Sequence, residues 1–100
     1  MDLAEVTSKM QAALAGGGFD KIIKFDFGSI GKILLNGPAG KVSNDDGAAD
    51  ATVNIDFDNF LKMAQGQLDP MQAFMSGKLK VAGDMSAALK LQSILGKMRG

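Results

Sequence analysis

Cysteine, histidine, tryptophan and tyrosine are all missing from this chain of 100 residues. Without cysteine there is no disulfide and no thiolate nucleophile. Without histidine there is no imidazole base and no nitrogen- or sulfur-ligated zinc. Only 2 prolines interrupt the backbone. Charge of either sign is balanced, 11 basic against 11 acidic side chains, so the basic face that nucleic-acid binding needs is not expected. No apolar run approaches the roughly 18 residues that a membrane-spanning helix requires.

What is present is apolar and soft. Hydrophobic residues make up 46% and charged residues 22%, an ordinary globular balance for one domain spanning residues 1–100. The aromatics are 6 phenylalanines, joined by 7 methionines. Methionine repacks around variable shapes, so these residues suit either a core or an adaptable pocket. Met1-Asp2-Leu3 begins acidic, without the basic and apolar regions of a secretion signal, and Met98-Arg99-Gly100 is not a peroxisomal address. A soluble, cytoplasmic protein is the expectation.

Periodicity divides the chain into elements. Leu3, Val6, Met10, Ala13 and Leu14 share one face of a helix beginning near Asp2 and ended by Gly16-Gly17-Gly18. Ile23, Phe25 and Phe27 alternate with Lys24 and Asp26 as in a half-buried strand, and Lys32–Leu35 form a second. After the turn Asn36–Gly40, Lys41-Val42-Ser43 resume pairing. The polar loop Asn44–Gly47 leads to a strand with Ala51, Val53 and Ile55 on one side. Short turns between these strands predict an antiparallel meander.

Asp56 or Asp58 caps a helix carrying Phe57, Phe60, Leu61, Met63 and Ala64. Asp69-Pro70 opens a short helix presenting Met71, Phe74 and Met75, which Gly77 stops. Lys78–Ala82 alternates with Leu79 and Val81 inward, and Asp84 caps a last helix from Met85 to about Met98. The fold class is α+β, with helices laid on one face of a mainly antiparallel sheet.

On a helical wheel the last segment carries Ser86, Lys90, Ser93 and Lys97 as one narrow polar stripe. Met85, Ala88, Leu89, Leu91, Ile94, Leu95 and Met98 occupy most of the remainder, more than one-sided packing uses. Contact with a ligand or another chain accounts for the excess, and deep burial is the alternative. Gln92 falls inside the apolar arc, as a backbone-bonded amide or as a partner for the polar end of an amphiphile.

Catalytic and metal constellations fail on spacing. Aligning Gly47 with the turn glycine of an EF-hand puts Val42 and Val53 at ligand positions, so Asn44–Asp50 reads as a solvated hairpin loop. The glycine triplet lacks a following Lys and Ser/Thr, and Ser76 with Lys78 has no orienting partner. No enzyme, cofactor or metal is expected.

The order of parts from Asp69 to Gln92 is the most specific signal: a Pro-initiated helix with Ala73-Phe74, then Gly77-Lys-Leu-Lys-Val81, Gly83-Asp84-Met85 and Lys90-Leu91-Gln92. This stretch resembles the sterol carrier protein 2 family of small lipid-binding modules. Weaker similarity runs back through Ala49–Val53 and Asp58–Leu61 to residue 21. The resemblance implies a five-stranded sheet covered by helices, with an apolar tunnel between them for a fatty acid, acyl-CoA or related amphiphile. Carried onto this chain, the lining comprises Phe60, Met63, Met71, Phe74, Met75, Met85, Ala88, Leu89, Gln92 and Leu95. A monomeric, non-enzymatic lipid carrier is expected, with transient membrane or enzyme contacts. Protein interaction or self-association through the last helix is the alternative.

Overall fold

The computed structural model describes residues 2–15 and 19–99, apart from the side chains of Ala87, Ala88, Leu91 and Arg99. Helix α1 (Leu3–Leu14) starts where the Asp2 carboxylate accepts the Glu5 amide at 2.9 Å, satisfying one of the donors a helix start leaves unpaired. Its buried residues Val6, Met10 and Leu14 recur every four positions, the spacing of a helix face. The glycine triplet assigned to its end lies outside the described residues. Among the described residues, no helix is long and apolar enough to cross a membrane.

Five strands form one sheet: β1 (Ile22–Asp26), β2 (Lys32–Asn36), β3 (Lys41–Ser43), β4 (Ala51–Ile55) and β5 (Leu79–Gly83), in the order β3-β2-β1-β4-β5. Pairing puts Val81 opposite Val53, Val53 opposite Phe25, and Phe25 opposite Ile33, so one row of apolar side chains crosses the sheet. Three of the pairings are antiparallel, but β1 and β4 run parallel. The expected meander is therefore corrected to a mixed sheet.

The polar segment Asn44–Asp50 is a crossover instead of a hairpin loop. It carries the chain past β2 and β1 so that β4 pairs on the far side of β1. Its carboxylates fix that path. Asp46 accepts a 2.7 Å hydrogen bond from Lys24 Nζ, and Asp50 both accepts from the Ile22 amide and donates its own amide to the Ile22 carbonyl.

Helix α2 (Phe57–Ala64) sits against the apolar sheet face, where the Phe60 ring meets Phe25 and Phe27 edge-on at 5.5 and 5.2 Å. Helix α3 (Pro70–Met75) is short, with Asp69 accepting the Met71 amide and Pro70 at the first position. It lies beside edge strand β5 and buries only Ala73. At the far end of β5, Gly83 has φ +95°, and a Cβ there would stand 2.5 Å from the Asp50 carbonyl oxygen. Only glycine fits both constraints.

The last helix is not continuous. It divides into α4 (Met85–Leu89) and α5 (Leu91–Arg99), with Lys90 in the turn between them. Lys90 reaches aside, its Nζ 2.7 Å from Asp20 Oδ1 and 5.8 Å from the centre of the Phe19 ring. Helix α5 restarts on the Lys90 carbonyl, which accepts the Ile94 amide, and buries Ile94 and Leu95. The single wheel over Met85–Met98 therefore combines two helices with separate surroundings.

Candidate functional site

The β5 edge of the helix-covered face carries a cleft of about 160 Å³. Strand β5 supplies its floor, because alternation turns Leu79 and Val81 towards the helices while Lys80 points away. Pro70, Met71 and Phe74 of α3 make one wall, Met85 and Leu89 of α4 the other, and Gln92 of α5 closes one end. At Pro70 and Gln92 it abuts a second, more polar cleft of about 600 Å³ beside Met63, Leu68, Asp69 and Leu95. The two together form a trough beside α3 and the α4–α5 joint.

The walls are apolar yet open to solvent. Met71 is 53% exposed, Phe74 42%, Met85 46% and Leu89 66%. Large apolar side chains gathered on one surface mark a binding site, whereas isolated ones are ordinary. Among the described residues lining the first cleft, Gln92 alone has a polar side chain, and its amide makes no hydrogen bond among the described residues. Gln92 is exposed at the junction of the clefts; it lines the same apolar cleft as Met85 and Leu89, at helical spacing, but that side faces solvent and not the core.

Of the residues assigned from sequence, Met71, Phe74, Met85, Leu89 and Gln92 come together in the first cleft, and Met63 and Leu95 join Gln92 in the second. Phe60 is placed in neither; it is fully buried among the core phenylalanines. Met75 is 83% exposed beside Leu68 and Lys78, on another side of α3. The Ala88 side chain lies outside the described residues. Pro70, Leu79 and Val81 were not assigned to the lining, although the inward alternation of Leu79 and Val81 was the signal available for two of them. The apolar tunnel that the resemblance implies is not shown among the described residues. Phe25, Phe60, Met10 and Leu95 fill the space between sheet and helices, leaving the open trough.

A separate cleft of about 240 Å³ lies between α1 and α5, with Met10, Leu14, Phe19, Leu35 and Ile94 inside and Lys90, Ser93 and Lys97 around it. Beside it, the hydrogen bond from Lys90 and then its positive charge hold the Asp20 carboxyl below its ordinary range. No group of metal-ligating side chains is assembled among the described residues.

The sequence model of the SCP-2 sterol transfer family matches residues 3–96. Hydroxysteroid dehydrogenase-like protein 2 of Xenopus tropicalis is 48% identical over 66 residues, 65% of this chain and 16% of that protein. Human sterol carrier protein 2 is 39% identical over 61 residues, 61% of this chain and 11% of that protein. The chain thus spans a small share of these relatives' length. Among solved structures, sterol carrier protein 2 of Aedes aegypti in complex with palmitate superposes with a TM-score of 0.79 at 21% identity, covering 97% of this chain and 98% of that one. The apo protein of Yarrowia lipolytica gives 0.69 at 22% identity, covering 96% and 80%. The fold is shared with both, and by the extent of the family match this chain belongs to the SCP-2 sterol transfer family.

Proposed function

We propose that this chain is a lipid carrier whose trough between α3 and α4 holds the acyl chain of a fatty acid, acyl-CoA or similar amphiphile. The observation that carries the reading is the wall of four exposed apolar side chains, Met71, Phe74, Met85 and Leu89, over an apolar floor. Covering such surface gains about 25 cal/mol per Å² taken from water, which drives uptake without chemistry. Thioether side chains repack easily, so loose selectivity for chain length is expected. Gln92 offers an amide to the polar end of the ligand. Palmitate bound to the Aedes aegypti relative supports this class of ligand.

The chain acts as a carrier and not as a catalyst, in this reading, because it offers no histidine or cysteine for acid–base or nucleophilic steps. Operation as a monomer in the cytoplasm, with transient contact to a membrane or an enzyme, belongs to the same proposal. Native mass spectrometry of the purified chain, with displacement of a fluorescent fatty acid, tests it. Bound lipid and saturable displacement are expected; neither appearing would end the proposal.

A second reading rests on the same exposed residues together with Met75. They form an apolar surface on α3 and α4 that a partner protein or second copy would cover. Its location shifts from the single last helix to α3 and α4, since α5 turns Ile94 and Leu95 into the core. Light scattering of lipid-free protein separates the two: a dimer that dissociates when Leu89 and Met75 become serine, with no lipid uptake, favours association.

A further inference from the structure

The trough joins two compartments of unlike chemistry. The apolar one, of about 160 Å³, is lined by thioether, phenyl and aliphatic side chains up to Gln92. The other, of about 600 Å³, shares Pro70 and Gln92 with it and adds Gln67, Asp69 and Gln72. An amphiphile lying along the trough puts its chain against the apolar walls, where burial gains most, and its head among the polar groups. The second compartment therefore decides which head is held.

Fixed backbone presents these groups. The Gln67 and Leu68 amides both donate to the Lys62 carbonyl in the last turn of α2, at 2.8 and 3.3 Å. The turn they make leads to Asp69, whose Oδ1 accepts the Met71 amide at 2.9 Å. Gln72 follows on α3, and Gln92 stands in the first turn of α5. The side-chain amides of Gln67, Gln72 and Gln92, and the second oxygen of Asp69, have no hydrogen-bond partner among the described residues.

Positive charge is what the lining lacks. Among the described residues, no lysine or arginine lines either compartment. Lys90 is turned to Asp20 at 2.7 Å, and Lys78 stands beside Met75 in the neighbouring groove past Leu68 and Gln72. A carboxylate head only accepts hydrogen bonds, finds no cation here and approaches the like charge of Asp69. An ammonium head only donates, so the N–H groups of the amides it covers lose water without gaining an acceptor. A head with several hydroxyls both donates and accepts, and answers the amides and Asp69 together.

We infer that the trough prefers an amphiphile with an uncharged polyhydroxylated head, a glycerol or sugar on an acyl or alkyl chain, over a free fatty acid, and that Gln67, Asp69, Gln72 and Gln92 set that preference. This preference rests on the lipid-binding reading, which it narrows from the chain to the head group.

Isothermal titration below the micelle concentrations of monododecanoylglycerol, dodecyl glucoside, dodecanoate and dodecylammonium tests it, the first two separating glycerol from sugar. At about 20 mM sodium chloride, at least one polyol ligand is expected to bind about three- to tenfold more tightly than dodecanoate. Asp69→Asn keeps a capping oxygen for Met71 but removes the charge. It should tighten dodecanoate about two- to fivefold and leave the polyols within about twofold. Salt at about 0.5 M narrows the gap for the unsubstituted chain in the same direction. Gln67→Leu with Gln72→Leu should weaken the polyols about three- to tenfold and reduce their lead over dodecanoate. All three substituted positions are exposed, so unchanged thermal melts are expected. Dodecanoate or dodecylammonium binding most tightly to the unsubstituted chain would overturn the head-group preference and leave the lipid-binding reading standing. A polyol preference that Asp69→Asn and the glutamine pair both leave unchanged would overturn the assignment to these residues. Binding by none of the ligands would remove the lipid-binding reading as well.

Discussion

Helices α2 and α3 are built from the same kinds of residue and meet opposite ends. In α2, Phe60 and Met63 are 0% and 1% exposed; in α3, Phe74 and Met75 are 42% and 83% exposed. The difference lies in what is beneath them. Helix α2 rests on Phe25 and Phe27 of the sheet and its margin, where Phe60 completes an aromatic cluster with Phe57 beside it. Helix α3 runs beside edge strand β5 and touches the core through Ala73, so Met71 and Phe74 stand around a cleft and Met75 faces outward beside Leu68 and Lys78. A Phe/Met-rich segment is thus core or binding wall according to its place over the sheet, a property of topology more than of composition.

Substitution should break the two helices in different ways. Phe60→Ala has the largest expected effect. It removes a fully buried ring at a cost of about 3–5 kcal/mol, enough to unfold much of a small domain, and urea denaturation followed by circular dichroism would show it. Phe74→Ser should cost about 1 kcal/mol or less in the same assay, because the ring is already part-exposed, yet lower fatty-acid affinity about tenfold. Equal destabilisation by both substitutions would erase the distinction between core helix and cleft wall.

Gln92→Leu sharpens the comparison within the cleft. Loss of one hydrogen-bonding amide, worth about 0.5–1.5 kcal/mol, should weaken a fatty acid two- to tenfold while leaving an alkane of equal length unaffected or tighter. Isothermal titration with both ligands reads the contrast.

The smallest effect belongs to the opposite face of the sheet. Hydrogen bonding and charge from Lys24, aided by Lys32, hold the Asp46 carboxyl below its ordinary value of 3.8. A lowered folded-state pKa stabilises above the unfolded value, and that contribution disappears as pH falls through the folded one. Asp46→Asn should therefore lower the melting temperature slightly at neutral pH and flatten the acid limb below about pH 4. A pH profile of thermal unfolding measures it.

Much of the fold was legible in the sequence. Alternation at Ile23, Phe25 and Phe27 gave the buried face of β1, and Asp2 and Asp69 marked two helix starts through their side-chain oxygens. Alternation tells a strand's face but not its neighbour, so the parallel pairing of β1 with β4 was not readable. The break at Lys90 has no glycine or proline to announce it; it coincides with a pair to Asp20, 70 residues away. The cleft was legible in its apolar walls, and Met71, Phe74, Met85, Leu89 and Gln92 do meet there. Phe60 and Met75 were not separable from them, since nothing local distinguishes a ring over the sheet from a thioether past its edge.

The methionine methyl groups offer the most direct measurement of the central claim, because they are spread over core, cleft and outer surface. In a carbon–proton methyl spectrum titrated with palmitate, Met71 and Met85 should shift together and saturate, while Met10 and the outward Met75 stay in place. Shifts at Met10 with Met71 and Met85 unmoved would put the ligand in the cleft between α1 and α5 and contradict the α3–α4 site.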